Sequence, residues 1–317
     1  MTPVGVTTRR YALIAPCRDE QQYMERTLES VYNQTESPAL FVVVDDASTD
    51  ETPNILRKWQ EKMPYLRVVT RPPRPKGDGG RKVGGGVVQA FYAGYETIDP
   101  AEFDYVCKID LDLELPEKYF ATLMDKMESN PRLGTASGKP YMLLDGQLVS
   151  EKCGDENSVG MTKFYQTRCF TEIGGFVPEL MWDGIDCHTA RMMGWQAASF
   201  DEPDLRFTHL RPMGTSHKNW WTGRVRHGWG QQFMGTSLPY MLASCAYRAL
   251  HPPILVGSAA MLWGFIKRSF RGEPRYDKPG FRKFLRRYQW AALFKGKSNA
   301  ITAIDAEQKK VWDAKAK

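Results

Sequence analysis

The chain lacks any C-x-x-C pair: its six cysteines, Cys17, Cys107, Cys153, Cys169, Cys187 and Cys245, are widely scattered. That spacing indicates neither a zinc site nor a disulfide framework and points to a reducing, cytoplasmic setting. A secretory leader is not expected, because residues 1–10 are short and polar. Two phosphate-binding fingerprints are missing as well, G-x-x-x-x-G-K-[ST] and a clean G-x-G-x-x-G. Where a nicotinamide enzyme carries its glycines after the first strand, this sequence has Pro16-Cys17-Arg18. The best apolar block, 254–266, falls short of the ~20 residues a spanning helix needs. No internal repeat or long low-complexity segment occurs.

Acidic residues are scarce in one place. From 230 to 266 there is no Asp, Glu or Lys and only one Arg, Arg248, and the stretch is broken by Pro239, Pro252, Pro253, Gly257 and Gly264. The next stretch, 267–297, holds eleven Lys/Arg against two Asp/Glu, a net +9 in a chain whose total is +6. Residues 1–266 carry −4. Such local basicity argues for one electrostatic patch and against a general affinity for nucleic acid. Phe281, Phe284, Leu285, Tyr288 and Trp290 alternate there with Arg282, Lys283, Arg286 and Arg287. That mixture fits a helix lying in a membrane interface, so 250–297 is expected to meet an anionic membrane surface. An ordinary helix packed on the core, or a contact between copies of the chain, would use the same face.

What is present in abundance is core. With 42% hydrophobic residues in 317, the chain can build one large domain with an appendage. Tyr11 to Ala15, Phe41 to Val44, Leu66 to Val69 and Tyr105 to Ile109 read as short strands, separated by helical patterns over 21–32, 51–63 and 87–96. This rhythm predicts a mostly parallel, doubly wound α/β sheet. Pro116 opens a further helix, 134–147 turns strand-like, and 298–317 reads as a polar terminal helix.

In such a sheet ligands bind outside the carboxyl ends of the strands, and acids gather at those ends. Arg18, Asp19 and Glu20 follow the first strand. Asp45-Asp46-Ala47-Ser48-Thr49-Asp50 follows the second, with Ser48 or Thr49 placed to cap the next helix. Asp110 and Asp112 end the Tyr105 strand. Two residues apart on an extended chain, they would face one ligand together. Their mutual repulsion would be relieved by a divalent cation, Mg²⁺ or Mn²⁺, shared with substrate phosphates. Six glycines between 77 and 86 free the backbone to approach a ligand, and Arg81 and Lys82 could meet a diphosphate. Asp183 and Asp186 open a helix after Met181-Trp182. They either complement its dipole or supply a general base. His209 is either a further metal or phosphate contact or a structural histidine.

The ordered set Ile14-Ala15-Pro16-Cys17-Arg18-Asp19-Glu20, Val42-Val43-Val44-Asp45-Asp46-Ala47-Ser48-Thr49-Asp50, Lys108-Ile109-Asp110-Leu111-Asp112, Gly174-Gly175-Phe176 and Trp182-Asp183-Gly184-Ile185-Asp186 resembles the family 2 glycosyltransferases over roughly residues 10–215. The resemblance implies a GT-A fold, a nucleotide-sugar donor, a divalent cation and inversion at the anomeric carbon by direct displacement. Carried over by position, Pro16, Arg18, Glu20 and Asp45 or Asp46 would line the base and ribose pocket. Asp110 would lie near the ribose or metal, and Asp112 would bind the metal. Asp183 would be the base, with Asp186 a competing candidate, because Trp182 stands where the family's Glu-Asp motif has Glu. Arg81, Lys82 or Arg224 would help the metal steady the leaving diphosphate.

The Q-x-x-R-W motif of processive synthases is absent; Arg224, Arg226, His227, Gly228, Gln231 and Gln232 form a different polar set. Single-sugar transfer to a lipid-linked or other glycan, as in polysaccharide assembly, fits better than polymerisation. The expected organisation is a catalytic domain over 1–229, with a donor half to about 113 and an acceptor half from 114. A helical segment over 230–317 would then seat the enzyme peripherally on the cytoplasmic membrane face. Transfer to a polyprenyl phosphate, and a non-catalytic membrane-surface binder with a transferase-like fold, are the alternatives. The intact Asp45, Asp110, Asp112 and Asp183 argue against the latter.

Overall fold

The computed structural model describes residues 9–73, 85–211, 220–250 and 253–315. Arg81 and Lys82 lie outside the described residues. The anticipated strands form as β1 (Tyr11–Cys17), β2 (Leu40–Asp45), β3 (Leu66–Thr70) and β4 (Tyr105–Ile109). Between them lie α1 (Met24–Tyr32), α2 (Thr52–Lys62) and α3 (Gly85–Tyr95). β1 pairs in parallel with both β2 and β4, and β2 with β3. The chain continues through β5 (Leu113–Glu114), α4 (Tyr119–Ser129), β6 (Leu133–Ser137), β7 (Lys139–Leu144), β8 (Gln147–Ser150), β9 (Thr162–Gln166), α5 (Thr167–Ile173), α6 (Trp182–Met192), β10 (Gln196–Ser199) and β11 (Arg206–His209). Five helices follow: α7 (Trp220–Met234), α8 (Leu238–Arg248), α9 (Val256–Phe270), α10 (Phe281–Lys295) and α11 (Lys297–Lys315).

Among the described residues the main sheet runs β10-β6-β9-β4-β1-β2-β3, and a smaller one runs β5-β11-β7-β8. Only β9 is antiparallel in the main sheet, lying between β4 and β6. Its N-terminal end therefore meets the C-terminal end of β4, with Thr162 opposite Ile109. Alternation along the strands feeds two cores. Leu13, Ala15, Phe41, Val43, Cys107 and Ile109 pack with α1, α2 and α4. Ile14, Val42, Val44 and Val106 pack with α3, α5 and α6. The helix caps differ from expectation: α2 starts with no side-chain cap bond, because Ser48 and Thr49 are engaged elsewhere.

The C-terminal helices change two expectations. α7 runs straight through the boundary expected at 229/230, so the catalytic layer and the appendage share an element. In α10, Phe281, Phe284, Leu285 and Tyr288 are buried against Ile185 of α6, Phe233 of α7 and Ile304 of α11. The stripe read as a membrane-facing surface is core, because spacings of three and four residues place it on one face, and that face has a partner. Exposed apolar residues stand elsewhere, at Tyr247, Leu250, Ile254, Leu255, Trp263 and Phe270, and at Trp290 and Phe294 on the end of α10. Among the described residues no helix is long and apolar enough to cross a membrane.

α7 and α9 approach at glycines. A β-carbon on Gly228 would overlap the carbonyl of Met261, and one on Gly264 the carbonyl of Val225. Gly228→Ala should therefore force the helices apart at a cost of about 1–3 kcal/mol. Circular-dichroism melting should show a midpoint several degrees lower; an unchanged midpoint would contradict this packing.

Candidate active site

β1 and β2 end side by side, Cys17 opposite Asp45, and the two loops beyond them are laced together. Ser48 Oγ accepts from the Asp19 amide at 2.9 Å, and Asp19 Oδ1 accepts from the Thr49 amide at 2.7 Å. Thr52 Oγ1 accepts from the Glu20 amide at 2.9 Å, and Asp50 Oδ2 from the Gln21 amide at 3.1 Å. Asp45 turns back to accept from the Ser48 amide at 2.9 Å. Asp46 pairs with Arg71 at 2.8 Å, while its carbonyl accepts from Arg18 Nη1 at 3.1 Å. The D-D-x-S-x-D run thus works largely as scaffolding for a rigid rim. Pro16 lies inside β1 opposite Val44, and Glu20 is buried below the rim.

The D-x-D pair behaves differently from expectation. β4 ends at Ile109 and the chain bends over 111–112, so the two carboxylates take separate partners. Asp110 Oδ1 lies 2.5 Å from Lys108 Nζ, which also donates to the Gly160 carbonyl at 2.8 Å. Asp112 is buried. Its Oδ1 lies 3.9 Å from His209 Nε2, and its Oδ2 3.6 Å from Arg211 Nε. β11 runs antiparallel to β5, with His209 opposite Leu113, and that pairing delivers the imidazole. The other ring nitrogen, Nδ1, is 2.8 Å from Glu151 Oε2. Burial disfavours a charged His209, but the bond to Glu151 and the charges of Asp112, Glu151 and Asp110 outweigh it and raise the pKa. Arg211 also pairs with Glu20, so one guanidinium joins the first loop to the D-x-D acid.

Asp183 stands in the first turn of α6, after Met181 in a left-handed conformation (φ 65°). Its carboxylate packs on Gly160, where a β-carbon would sit 3.3 Å from Oδ2. Burial raises its pKa; the charge of Lys163 pulls it back and that of Asp186 pushes it up again. Lys163, fully buried on β9, donates to the Asp183 carbonyl at 2.8 Å and pairs with Asp186. Tyr165 donates to the same Asp186 carboxylate, whose Oδ1 also accepts from the Cys187 amide at 2.6 Å. Asp186 therefore points into the protein with both oxygens engaged, not into the cleft. Trp182, at the position of the family's Glu, lies under two cations, Lys108 at 5.5 Å and Lys163 at 5.7 Å from its ring. Phe176 packs edge-on against it at 4.7 Å. Gly175 (φ 70°) must be glycine there, since a β-carbon would overlap Tyr92 Oη, which hydrogen-bonds both the amide and the carbonyl of Phe176.

β4, β1 and β2 are parallel and β9 starts where β4 ends, so 45–46 and 110–112 stand at one edge of the main sheet. Asp183 reaches that edge at Gly160, whose carbonyl accepts from the lysine paired with Asp110. Arg224 sits in the C-terminal layer, where a β-carbon on Gly257 of α9 would be 3.5 Å from its Nε. Arg211, Glu151 and Lys163 were missed from the sequence. Arg211 had one signal, standing two residues beyond His209 on the same side of an extended stretch. Among the described residues no three His, Cys, Asp or Glu side chains converge as a ready metal cage. The donor chemistry present is one carboxylate, Asp112, beside an imidazole nitrogen whose partner nitrogen is held by a carboxylate. That set suits a cation completed by substrate phosphates.

Residues 12–141 match the family model for glycosyl transferase family 2. Among solved structures, the mannosyltransferase PcManGT from Pyrobaculum calidifontis, in complex with GDP-Man and Mn²⁺, is similar with TM-score 0.53 and 19% identity, over 96% of this chain and 87% of that one. TarS 1–349 from S. aureus, in complex with UDP, gives TM-score 0.53 at 15% identity over 95% and 91%. GalNAc-T7 with UDP, GalNAc and Mn²⁺ gives 0.56 at 12% over 90% and 57%. At these identities the likeness is one of fold. No curated protein matches in sequence. With its mixed α/β sheet and its loops at the carboxyl edge, the chain has the GT-A fold, and its residues 12–141 are similar to glycosyl transferase family 2.

Proposed function

We propose that the protein moves a single sugar, with inversion, from a nucleotide-sugar donor to a hydroxyl of a lipid-linked glycan, at the cytoplasmic face of a membrane that it touches peripherally. The observation that carries the reading is Asp183: a carboxylate with raised pKa that packs on Gly160, whose carbonyl accepts from the lysine paired with Asp110. A general base needs proton affinity, and burial supplies it. The charge of Lys163 opposes that rise, and the ionised Asp183 takes the acceptor's proton as the hydroxyl attacks. Asp186, held by Lys163 and Tyr165, anchors the base helix. Pro16, Arg18, Asp45 and Asp46 border the base and ribose of the donor.

Asp112 and His209 would hold Mg²⁺ or Mn²⁺, with Glu151 fixing the ring so that Nε2 faces the carboxylate. When bound, the cation neutralises charge on the departing nucleoside diphosphate. Arg211, within reach of Asp112 and Glu20, adds a second positive charge at the same end of the cleft. Exposed Leu250, Ile254, Leu255 and Phe270, next to a segment of net +9, support contact with an anionic bilayer.

Asp183→Asn should retain nucleoside diphosphate binding and melting temperature while transfer falls by ~10²–10⁴. Asp186→Asn should lower the melting temperature. A normally active Asp183→Asn would remove the assignment. In the parent enzyme, transfer should rise with pH through a limb above the ordinary carboxylate range, because the base works deprotonated. His209→Ala and Glu151→Gln should weaken Mn²⁺-dependent diphosphate binding by calorimetry, with Glu151→Gln the milder at ~10–100-fold; equal affinity in all three proteins would exclude the metal role. In flotation with anionic liposomes, the wild type should rise and a Leu250→Ser, Ile254→Ser, Leu255→Ser, Phe270→Ser variant should stay down. Equal flotation would remove the membrane contact.

A further inference from the structure

One concavity is lined by none of Asp45, Asp110, Asp112 and Asp183. It has a volume of about 660 Å³ and runs between the start of α3, the loop before α6, and the facing sides of α7 and α9. Four cations line it, Arg226, Lys267, Arg268 and Arg271, against two acids, Glu179 and Glu273. Two indoles, Trp221 and Trp229, complete the wall. Arg268 Nε and Trp229 Nε1 are buried and have no hydrogen-bond partner among the described residues. Both groups only donate, and buried polar groups are as a rule satisfied. Those two atoms lie behind the wall, so what the groove itself offers is its lining of four cations against two acids, beside two indoles, and this suits a ligand rich in acceptor oxygens. Flat indole faces suit the apolar face of a sugar ring. The groove also reaches Leu180, three residues before Asp183.

We infer that this groove binds an anionic glycan, a chain of sugar or polyol units bearing carboxylate or phosphodiester groups, and presents it as acceptor to the cleft. The indoles hold the ring faces while Lys267, Arg268 and Arg271 meet the negative groups. Charge-assisted bonds from a planar guanidinium favour carboxylate and phosphate over a neutral hydroxyl. This rests on the transferase reading for the word acceptor, but not for the binding itself.

The full-length protein, without donor, is titrated by calorimetry with trigalacturonate, with a glycerol-phosphate trimer, with neutral maltotriose and with inorganic phosphate. One charged oligomer should bind at least about tenfold more tightly than maltotriose and than inorganic phosphate, more weakly as salt rises. Which oligomer wins separates carboxylate from phosphodiester. Lys267→Gln and Arg268→Gln should each weaken that binding about tenfold. Trp229→Phe should weaken it too, because the smaller ring offers less face to a sugar. Melting temperature and Mn²⁺-dependent nucleoside diphosphate binding, measured on the same samples, should not change. Equal affinity for maltotriose, equal affinity for inorganic phosphate, no binding at all, or full binding by all three variants would each overturn the inference. Because no arm uses the donor, a failure of the transfer reading leaves this outcome legible, and the converse holds.

Discussion

The buried pair of Lys163 and Asp186 is the constraint on which the site depends. Lys163 stands on β9 with its side chain fully buried, and Asp186 stands on α6 with almost none of its own exposed. Burial alone would lower the lysine's pKa, yet the charges of Asp186, Cys187 and Asp183 raise it, so the ammonium stays charged inside the protein. Placing two ions there carries a large desolvation penalty, and apolar residues of similar volume often do as well for stability. What an apolar pair lacks is direction. Lys163 also donates to the Asp183 carbonyl and Tyr165 closes on Asp186, so the first turn of α6 has one rotation relative to the sheet. That rotation aims Asp183 over Gly160. Removing one partner alone would strand a charge, at about 3–5 kcal/mol.

Trp182 extends the same logic. A carboxylate at this position would be the third acid in the first turns of α6, after Asp183 and Asp186, and like charges that close repel. The indole instead lies under Lys108 and Lys163, each held within 6 Å of its face. Lys108 is the partner of Asp110, so the ring is shared by the lysine that serves the D-x-D motif and the lysine that holds α6. Its aromatic neighbour, Phe176, is fixed by Tyr92. The departure from the Glu-Asp pattern therefore replaces a negative group with a weakly attractive surface for two cations that the site already requires.

The parts legible in the sequence were those in which local pattern and tertiary role coincide. β1 to β4 are short apolar runs because both faces of the sheet are covered, and every one of them was found. Asp45, Asp110, Asp112 and Asp183 do stand at strand ends and a helix start, since those places have local signatures. What failed needed knowledge of the partner. Asp110 and Asp112 were expected to face together, which assumes an extended chain; the bend at 111–112 comes from the return into β5. Glu151 and Arg211 act across 58 and 191 residues of sequence, on His209 and Glu20 respectively, and no spacing rule reaches that far. The apolar stripe of α10 was correctly seen as a stripe and wrongly given a lipid partner. Amphipathicity states that a face must be covered, not by what.

The C-terminal basic block is accordingly less uniform than its net +9 suggests. Lys267, Arg268 and Arg271 border a groove whose wall also contains Trp229 and Glu273. Arg287 reaches Glu307 of α11 at 2.5 Å, and Lys278 donates to the Ile173 carbonyl at 2.6 Å. Some of the cations thus belong to structure, some to a concave wall, and the rest to open surface. These classes respond differently to ionic strength: charges facing open solvent are screened within about 8 Å at physiological salt, whereas those in a partly enclosed wall keep more of their field. Attraction to an anionic surface should therefore fade with salt sooner than attraction to an anion seated in the groove. A segment that reads as one patch in sequence acts in the folded chain as separate electrostatic elements, and the helix faces, not the charge total, decide which cation belongs to which.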